Sequence, residues 1–239
     1  MSGMLLYVTE VAPYARTEKR PDDQRRLAGA HHCLPQTIAC MGQMAKVAGL
    51  GFAHFDSVAA IDARGMEAAT VLALFTIGET PWNEAQKEAI THRVRSGAMG
   101  FMPIHAAADA CSGWPDYGNL VGARFDGHPW TQDFGIEIVD RGHPATRHLG
   151  SSWRLMDEVY LFRDLRPDAK ILLRATVSDL DMSAKGARVP EVGIPLAWCF
   201  REQQGRVFYT ALGHFAALYE DATFLGHLFG GLQWVLGEG

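Results

Sequence analysis

The sequence contains few cysteines and no paired ones. Its 239 residues include Cys33, Cys40, Cys111 and Cys199, and no two of these form a C-x-x-C pair. This spacing excludes the common zinc-finger and dithiol motifs, which need two closely spaced thiols. Buried or incidental thiols are therefore expected.

Long hydrophobic runs and clusters of basic residues are also missing. The opening MSGMLLYVTE has neither a basic leader nor a sustained apolar region, so we predict no membrane span and no signal peptide, and we expect a cytoplasmic protein. The 22 Lys and Arg residues are scattered along a chain of formal net charge −5, without the basic stripe of a nucleic-acid binder. A small neutral or polar partner is favoured, with no nucleic acid and no membrane.

The chain has enough apolar material for one large domain. Hydrophobic residues make up 48% and charged residues 21% of the sequence, and neither an internal repeat nor a linker divides residues 1–239. Short strand-like runs alternate with helical stretches early in the chain, which is typical of a parallel α/β sheet. Denser strand signals after residue 130 indicate a mixed or antiparallel extension.

Local signals place individual elements. A helix should begin after Asn83 and end near Gly97, and a final helix over 222–236 should be capped by Asp221. Apolar spacing over 34–50 indicates another helix, and the charged segment 15–32 is a candidate lid. Strands are predicted at MLLYVT, GFAHFDSV, TVLALFTIG, GAMGFMPI, FGIEIVD, VYLFRDL, KILLRATV, PLAWCF and RVFYTAL.

His105 is the first candidate catalytic residue. It ends the apolar run GFMPIH, and sites of parallel α/β sheets form at the carboxyl ends of strands. A tight bend there would push the imidazole out over the sheet, although a buried histidine bonded to a backbone carbonyl is the alternative. Asp109, four residues later, would orient that imidazole or serve as a plain helix-start acid. The Gly-, Pro- and Trp-rich connection 106–130 is long enough to build a site.

Further histidines lie at the ends or bends of predicted elements. His214 ends a strand, His128 and His143 each precede a proline, and His148 is a weaker case. Imidazoles at such positions can transfer protons or bind a metal, although His128 and His143 could equally cap turns. Because no H-x-x-H or H-x-H pair sets a ligand geometry, no cofactor is certain, and a divalent metal, zinc or manganese, is left open.

One carboxylate and several aromatic rings complete the candidate set. In MDEVY, Asp157 and Glu158 point to opposite faces of a strand, so only one should face a pocket. Glu158 is favoured because it shares parity with Tyr160, and a solvent-facing acid is the alternative. Aromatic faces suit the C–H surfaces of sugar rings, although core packing explains any single one equally well. Histidines can hydrogen-bond to the hydroxyls of such a sugar, so the candidates for substrate contact are His31, Trp114, Tyr117, His128, Trp130, His143, Trp153 and Tyr160.

The segment GFMPIHAAADACSGWPDYGNLVGARFDGHP resembles the signature of the ThuA-like, or trehalose-utilisation, family. The similarity continues through NEAQKEAITHRVRSGAMGF, DRGHPATRHL, WRLMDEVYLF, PLAWCF, GRVFYTALGH and FLGHLFGGLQWVLG, and so spans roughly residues 70–236. The resemblance implies a three-layer α/β sandwich with a mainly parallel central sheet, flavodoxin-like or class I glutamine amidotransferase-like, plus the mixed or antiparallel extension. It also implies a carbohydrate as the substrate.

The resemblance extends to single residues, with departures. It places His31 of HHCLP on a family histidine, with His32 in place of the usual acid and Cys33 in place of a small hydroxyl residue. It puts His214 close to the triad histidine of amidotransferases and makes Glu158 the family's inward carboxylate. The family often has a histidine where this chain has Ile194.

These residues favour an enzyme of carbohydrate catabolism that uses acid/base chemistry on a sugar or keto-sugar. We expect isomerisation through an enediol, or hydrolysis next to a keto group, with His105 and His214 handling protons. The alternative is a non-catalytic sugar-binding or regulatory module. A glutamine-hydrolysing subunit is not expected, because His105 occupies the position of the cysteine nucleophile. Assembly into a homo-oligomer is left open.

Overall fold

A computed structural model describes residues 3–13 and 33–238. His31 and the candidate lid at 15–32 lie outside the described residues. Within them, the helices are α1 (Leu34–Val47), α2 (Ala63–Ala68), α3 (Glu84–Arg95), α4 (Pro115–Val121) and α5 (Ala222–Leu236). The strands are β1 (Met4–Val8), β2 (Gly51–Phe55), β3 (Ala69–Leu74), β4 (Gly100–Pro103), β5 (Arg124–Phe125), β6 (Trp130–Ile138), β7 (Trp153–Val159), β8 (Phe162–Arg163), β9 (Lys170–Ala175), β10 (Pro195–Glu202) and β11 (Gly205–Thr210).

Nine of these strands form one sheet in the order β2-β1-β3-β4-β11-β10-β9-β6-β7, while β5 pairs with β8. The pairs from β2 to β11 are parallel, and those from β11 to β7 are antiparallel. The predicted parallel sheet with an antiparallel extension is therefore confirmed.

Both faces of the sheet are covered, which makes the domain a three-layer sandwich. Strand β1 shows this directly: Leu5 and Tyr7 belong to a core shared with α1 and α5, while Leu6 and Val8 belong to a core shared with α2, α3 and α4. Successive side chains of a strand point to opposite faces, so a run of apolar residues serves both cores.

Helix boundaries follow the predicted caps. The Asn83 side chain accepts a hydrogen bond from the Gln86 amide, and the Gln86 side chain accepts one from the Asn83 amide, which is a capping box. Asp221 caps α5 by accepting from the amide of Phe224. None of the helices described is long and apolar enough to cross a membrane.

One prediction near the antiparallel extension is wrong. VYLFRDL is not one strand: β7 ends at Val159 and the separate β8 begins at Phe162. The long connection after His105 contains a 3-10 helix over 105–109 as well as α4 and β5. Buried aromatic rings along it, among them Tyr117 and Phe125, bring it into the core.

The β6–β7 hairpin projects beyond its neighbours. Only residues 136–138 of β6 pair with β9, whereas residues 130–135 pair with β7 alone. Strands β4, β9 and β11 end at one edge of the sheet. With this register, the beginning of β6 and the end of β7 extend beyond that edge. The next residues after β7 can thus reach over the carboxyl ends of the parallel strands, where sites of such sheets form.

Candidate functional site

His105 lies at a strained turn directly after β4. Its φ is 49°, in the left-handed region that residues with a side chain rarely adopt, at a cost of roughly 1–3 kcal/mol. The Tyr209 hydroxyl donates a hydrogen bond of 2.8 Å to the His105 carbonyl. The bend that the sequence predicts is therefore present and held by neighbouring groups.

Both ring nitrogens of His105 have hydrogen-bond partners. Nδ1 lies 2.7 Å from the Ala211 carbonyl, which can only accept, so the neutral ring carries its proton on Nδ1. Nε2 then accepts from the Tyr160 hydroxyl at 3.0 Å. Burial lowers the pKa of His105 to about 4, and only 2% of the residue is exposed. His105 is thus a neutral imidazole at the inner wall of the site.

Glu158 is the centre of a cluster of imidazoles. Its Oε2 lies 3.3 Å from His214 Nδ1 and 3.6 Å from His105 Nε2, and its Oε1 lies 3.5 Å from His128 Nδ1. Burial disfavours the ionised carboxylate, but the neighbouring imidazoles lower the pKa of Glu158 below its ordinary value. Glu158 and Tyr160, which share parity, both reach His105.

His214 and His128 form the accessible side of this cluster. His214 follows β11 and its side chain is 23% exposed, while that of His128, in the loop before β6, is 21% exposed. Burial lowers the pKa of His214, but Glu158 and then Asp157 outweigh it, so that the pKa is raised. Two imidazoles thus contact one carboxylate from different sides.

Asp157 is a site residue that the sequence analysis did not identify. The residue is fully buried, and its carboxylate accepts backbone hydrogen bonds from Glu158, Gly213 and His214. Asp157 faces backbone amides while Glu158 faces imidazoles, and both acids are buried at the projecting end of β7. A signal was present: Asp157 shares parity with Trp153 and Leu155, so it is a charged residue on an apolar face.

Asp109, the other acid predicted to act at the site, makes a different contact. Asp109 ends the 3-10 helix, and its carbonyl accepts from the Gly78 amide at 3.1 Å. Because Ala211 and Tyr160 occupy the ring nitrogens of His105, these groups orient that imidazole rather than Asp109.

Most of the predicted sugar-binding residues are buried in the core. Tyr117 donates to the Ala107 carbonyl, and Trp114 packs on Tyr117 beside Lys87. Trp130 donates to the Asp181 carbonyl. Burial of a large aromatic side chain contributes more free energy than burial of a smaller one, because it removes more apolar surface from water. These rings therefore pack in the core and do not form a surface on which a sugar could stack.

Two more of the predicted residues, His143 and Trp153, pack against side chains of α5. The ring of His143 lies 5.0 Å from that of Trp234, and the ring of Trp153 lies 5.7 Å from that of His227. His227 is fully buried and contacts the Ala145 carbonyl through Nδ1. These histidines are core residues with local hydrogen bonds.

A metal is compatible with part of the cluster. His105, Glu158 and His214 each offer one ligand atom, and these atoms lie within 4.8 Å of one another. Two imidazoles and a carboxylate suit a first-row divalent ion. An ion on Nε2 of His105 would displace the Tyr160 hydrogen bond. Metal binding stays a prediction, and calorimetry with zinc and manganese salts is its measurement.

The covered sheet, its strand order and the polar cluster at its carboxyl edge define an α/β protein with a glutamine amidotransferase-like fold. More narrowly, the chain belongs to the ThuA family, described as trehalose utilisation, whose model matches residues 24–235.

Solved structures agree on the fold. A ThuA-like protein from Bacteroides uniformis is 18% identical, with a TM-score of 0.74 over 98% of this chain and 91% of that one. A ThuA-like protein from Parabacteroides merdae is 17% identical, with a TM-score of 0.72 over 99% and 90%. A glutamine amidotransferase from Thermotoga maritima is 9% identical, with a TM-score of 0.52 over 99% of both chains. A search of curated proteins finds no match.

Proposed function

We propose that this protein is an enzyme of carbohydrate catabolism that acts on a sugar or keto-sugar, of the trehalose-utilisation type, by acid/base chemistry. Family membership supports the substrate class. The supporting observation for the chemistry is that one buried carboxylate, Glu158, contacts three imidazoles where the parallel strands end. Such a reaction needs proton-transfer groups that are held together and reachable, and the side chains of His128 and His214 are partly exposed.

In this proposal His214 is the general base. Its Nδ1–H points to Glu158, which leaves Nε2 to take a proton, and the raised pKa strengthens the base. Nε2 removes a proton from the carbon next to the sugar carbonyl, and the C–H electrons form the enediol as the carbonyl oxygen gains a proton. His128, on the other oxygen of Glu158, is placed to supply that proton. The isomerisation is complete when His214 returns its proton to the former carbonyl carbon and the other hydroxyl of the enediol gives its proton to His128, which leaves the new carbonyl and restores both imidazoles.

Hydrolysis next to a keto group would use the same residues. His214 would then take a proton from water as the water attacks, and His128 would protonate the leaving oxygen. His105 has a supporting role in both reactions: it accepts from Tyr160 and keeps that ring beside Glu158. Proton transfer is therefore assigned to the two accessible imidazoles rather than to His105.

The test is turnover of trehalose, other disaccharides and their 3-keto derivatives, followed by NMR or mass spectrometry of the products. His214→Asn and Glu158→Gln should each lower kcat by about 10²–10⁴-fold, the usual contribution of general acid/base catalysis. His92→Asn, at an exposed position of α3, is the matched control and should leave kcat unchanged. Full turnover by folded His214→Asn protein would contradict the proposal.

A sugar-binding or regulatory module without catalysis is the second candidate. Ile194, which stands where the family often has a histidine, is fully buried, and its carbonyl accepts from the Ala175 amide. A proton-transfer group is thus lacking at that position. Calorimetry separates the two candidates: binding of a sugar without any product would favour the module.

Glutamine hydrolysis is not expected. His105 occupies the elbow, and Cys111 lies six residues further along, with its thiol 2.9 Å from the Thr80 hydroxyl. Burial raises the pKa of Cys111 to about 11, so its reactive thiolate is scarce at neutral pH. An assay of ammonia release from glutamine measures this directly.

A further inference from the structure

We propose that Asp157 and Tyr219 are positioning residues: they hold the Gly213–His214 peptide from opposite sides and thereby direct the His214 imidazole at Glu158. The inference rests on the proposed function of His214. It assigns roles to two buried side chains that take no part in proton transfer themselves.

Asp157 holds the amide side of this turn. Its Oδ2 accepts from the Gly213 amide at 2.8 Å, and its Oδ1 accepts from the His214 amide at 3.1 Å. The same Oδ1 also accepts from the Glu158 amide at 3.0 Å. One carboxylate therefore ties the turn after β11 to the strand that carries Glu158. No water reaches the side chain to replace these bonds, since the residue is fully buried.

Tyr219 holds the carbonyl side. Its hydroxyl donates to the Gly213 carbonyl at 3.0 Å, and the Cys33 thiol makes a weaker contact with the same oxygen at 3.8 Å. Gly213 has a φ of +131°, and a Cβ at this position would lie 2.6 Å from the Tyr219 hydroxyl. The turn thus lacks space for a side chain, and the peptide is held on both of its edges.

The chemistry of the acceptor makes Asp157 hard to replace. Three N–H groups converge on two oxygens, and an ionised carboxylate offers only acceptors. Asparagine has nearly the same shape, but its NH₂ group would face at least one of these N–H groups. Donor would then oppose donor, and the turn should shift although the side-chain volume is unchanged.

A shift of this peptide moves the catalytic contact directly. The imidazole of His214 is two bonds from its backbone, and its Nδ1 lies 3.3 Å from Glu158. A displacement of about 1 Å can cost on the order of 10²-fold in rate. The titratable groups that face His214 are Glu158, His105 and Asp157 itself.

The experiment follows the His214 ring by NMR in isotopically labelled protein without substrate, with His214→Asn used to assign its signal. At one fixed pH, the Nδ1 shift of His214 reports its contact with Glu158, and cross-peaks between the rings of His214 and His105 report the ring position, since the two ring centroids lie 5.5 Å apart. Asp157→Asn should shift the Nδ1 signal and weaken these cross-peaks, and Tyr219→Phe should do so to a smaller extent. Asp221→Asn is the control, because Asp221 also accepts a backbone N–H but lies at the start of α5.

Steady-state kinetics with a sugar that the enzyme converts provide a second measurement. Asp157→Asn should lower kcat on the order of 10²-fold with little change in KM. Unchanged His214 ring signals and cross-peaks in folded Asp157→Asn protein would overturn the inference, and so would unchanged signals in Tyr219→Phe if Asp157→Asn does not fold. Failure of the proposed function gives a different result: no sugar is converted, yet the His214 ring signals still respond to both substitutions.

Discussion

At the scale of single residues, two neighbouring carboxylates serve different purposes. Glu158 faces imidazoles and carries the charge that the proposed chemistry needs, whereas Asp157 faces backbone amides and holds a turn. Burial raises the pKa of Asp157 to about 7, although its three amide donors favour the ionised form. Neighbours in sequence thus differ because the two faces of one strand end meet different partners.

Variants of Cys33 would show how strong a hydrogen-bond donor the Gly213 carbonyl requires. Its thiol is a weak donor to the Gly213 carbonyl, and burial raises its pKa to about 12. Cys33→Ser should remain active and within about 1 kcal/mol of the original stability, because a hydroxyl can donate to the same carbonyl. Thermal unfolding and kcat are the measurements. Cys33→Val, which removes the donor and keeps similar bulk, is the comparison and should lower kcat more than serine does.

At the scale of elements, the stability of α3 depends on the hydrogen bonds of its first turn. Asn83→Ala removes one half of the capping box and should lower the free energy of unfolding by about 1 kcal/mol. Asn83→Ser retains a capping oxygen and should lose less. Urea unfolding of the three proteins checks the order. Equal stability of the alanine variant and the unchanged protein would show that the cap contributes nothing.

Helix α5 packs closely against the backbone at Pro144. A Cβ on Gly230 would lie 2.2 Å from the Pro144 carbonyl oxygen, which belongs to backbone that cannot easily move. Gly230→Ala should therefore destabilise the protein, although alanine normally stabilises a helix by roughly 0.5–1 kcal/mol over glycine. Gly42→Ala in α1 is the matched variant, because its Cβ would approach only the Phe52 ring, at 3.3 Å. Thermal unfolding should rank Gly230→Ala well below Gly42→Ala.

At the scale of the whole molecule, buried neutral histidines should make the fold sensitive to acid. Burial lowers the pKa of His105 and His143 to about 4 and that of His227 to about 3. Below about pH 6.5 the unfolded chain takes up these protons before the folded chain does. His214 and Asp157 have raised pKa values and act in the opposite sense, but they are fewer. The free energy of unfolding should therefore fall from about pH 6.5 toward pH 4.

Denaturant unfolding at several pH values measures this dependence. His143→Asn should reduce the slope, since asparagine can still accept from the Ala145 amide but does not titrate. His92→Asn, on the exposed surface of α3, should leave the slope unchanged. A free energy of unfolding that is constant between pH 6.5 and 4.5 would contradict the prediction.

Much of the architecture follows from local patterns. Consecutive apolar residues in β1 indicate a strand buried on both faces, and Asn83 and Asp221 mark the helix starts observed. Parity identified Glu158 as the pocket-facing acid. The same reasoning applied to Trp153 and Leu155 would have exposed Asp157 as a charge among buried residues. In each case the information lies within a few residues of the chain.

The sequence by itself determined the mixed sheet, the helices α1, α3 and α5 and the bend at His105, because periodicity, caps and turns act over one element. Only the tertiary structure decided which side chains meet. Glu158 joins His105, His128 and His214 because the hairpin formed by β6 and β7 extends past its neighbours, and strand register is a property of pairs of distant segments. The aromatic rings went to the core for a similar reason: burial depends on what packs against them, which no local pattern records.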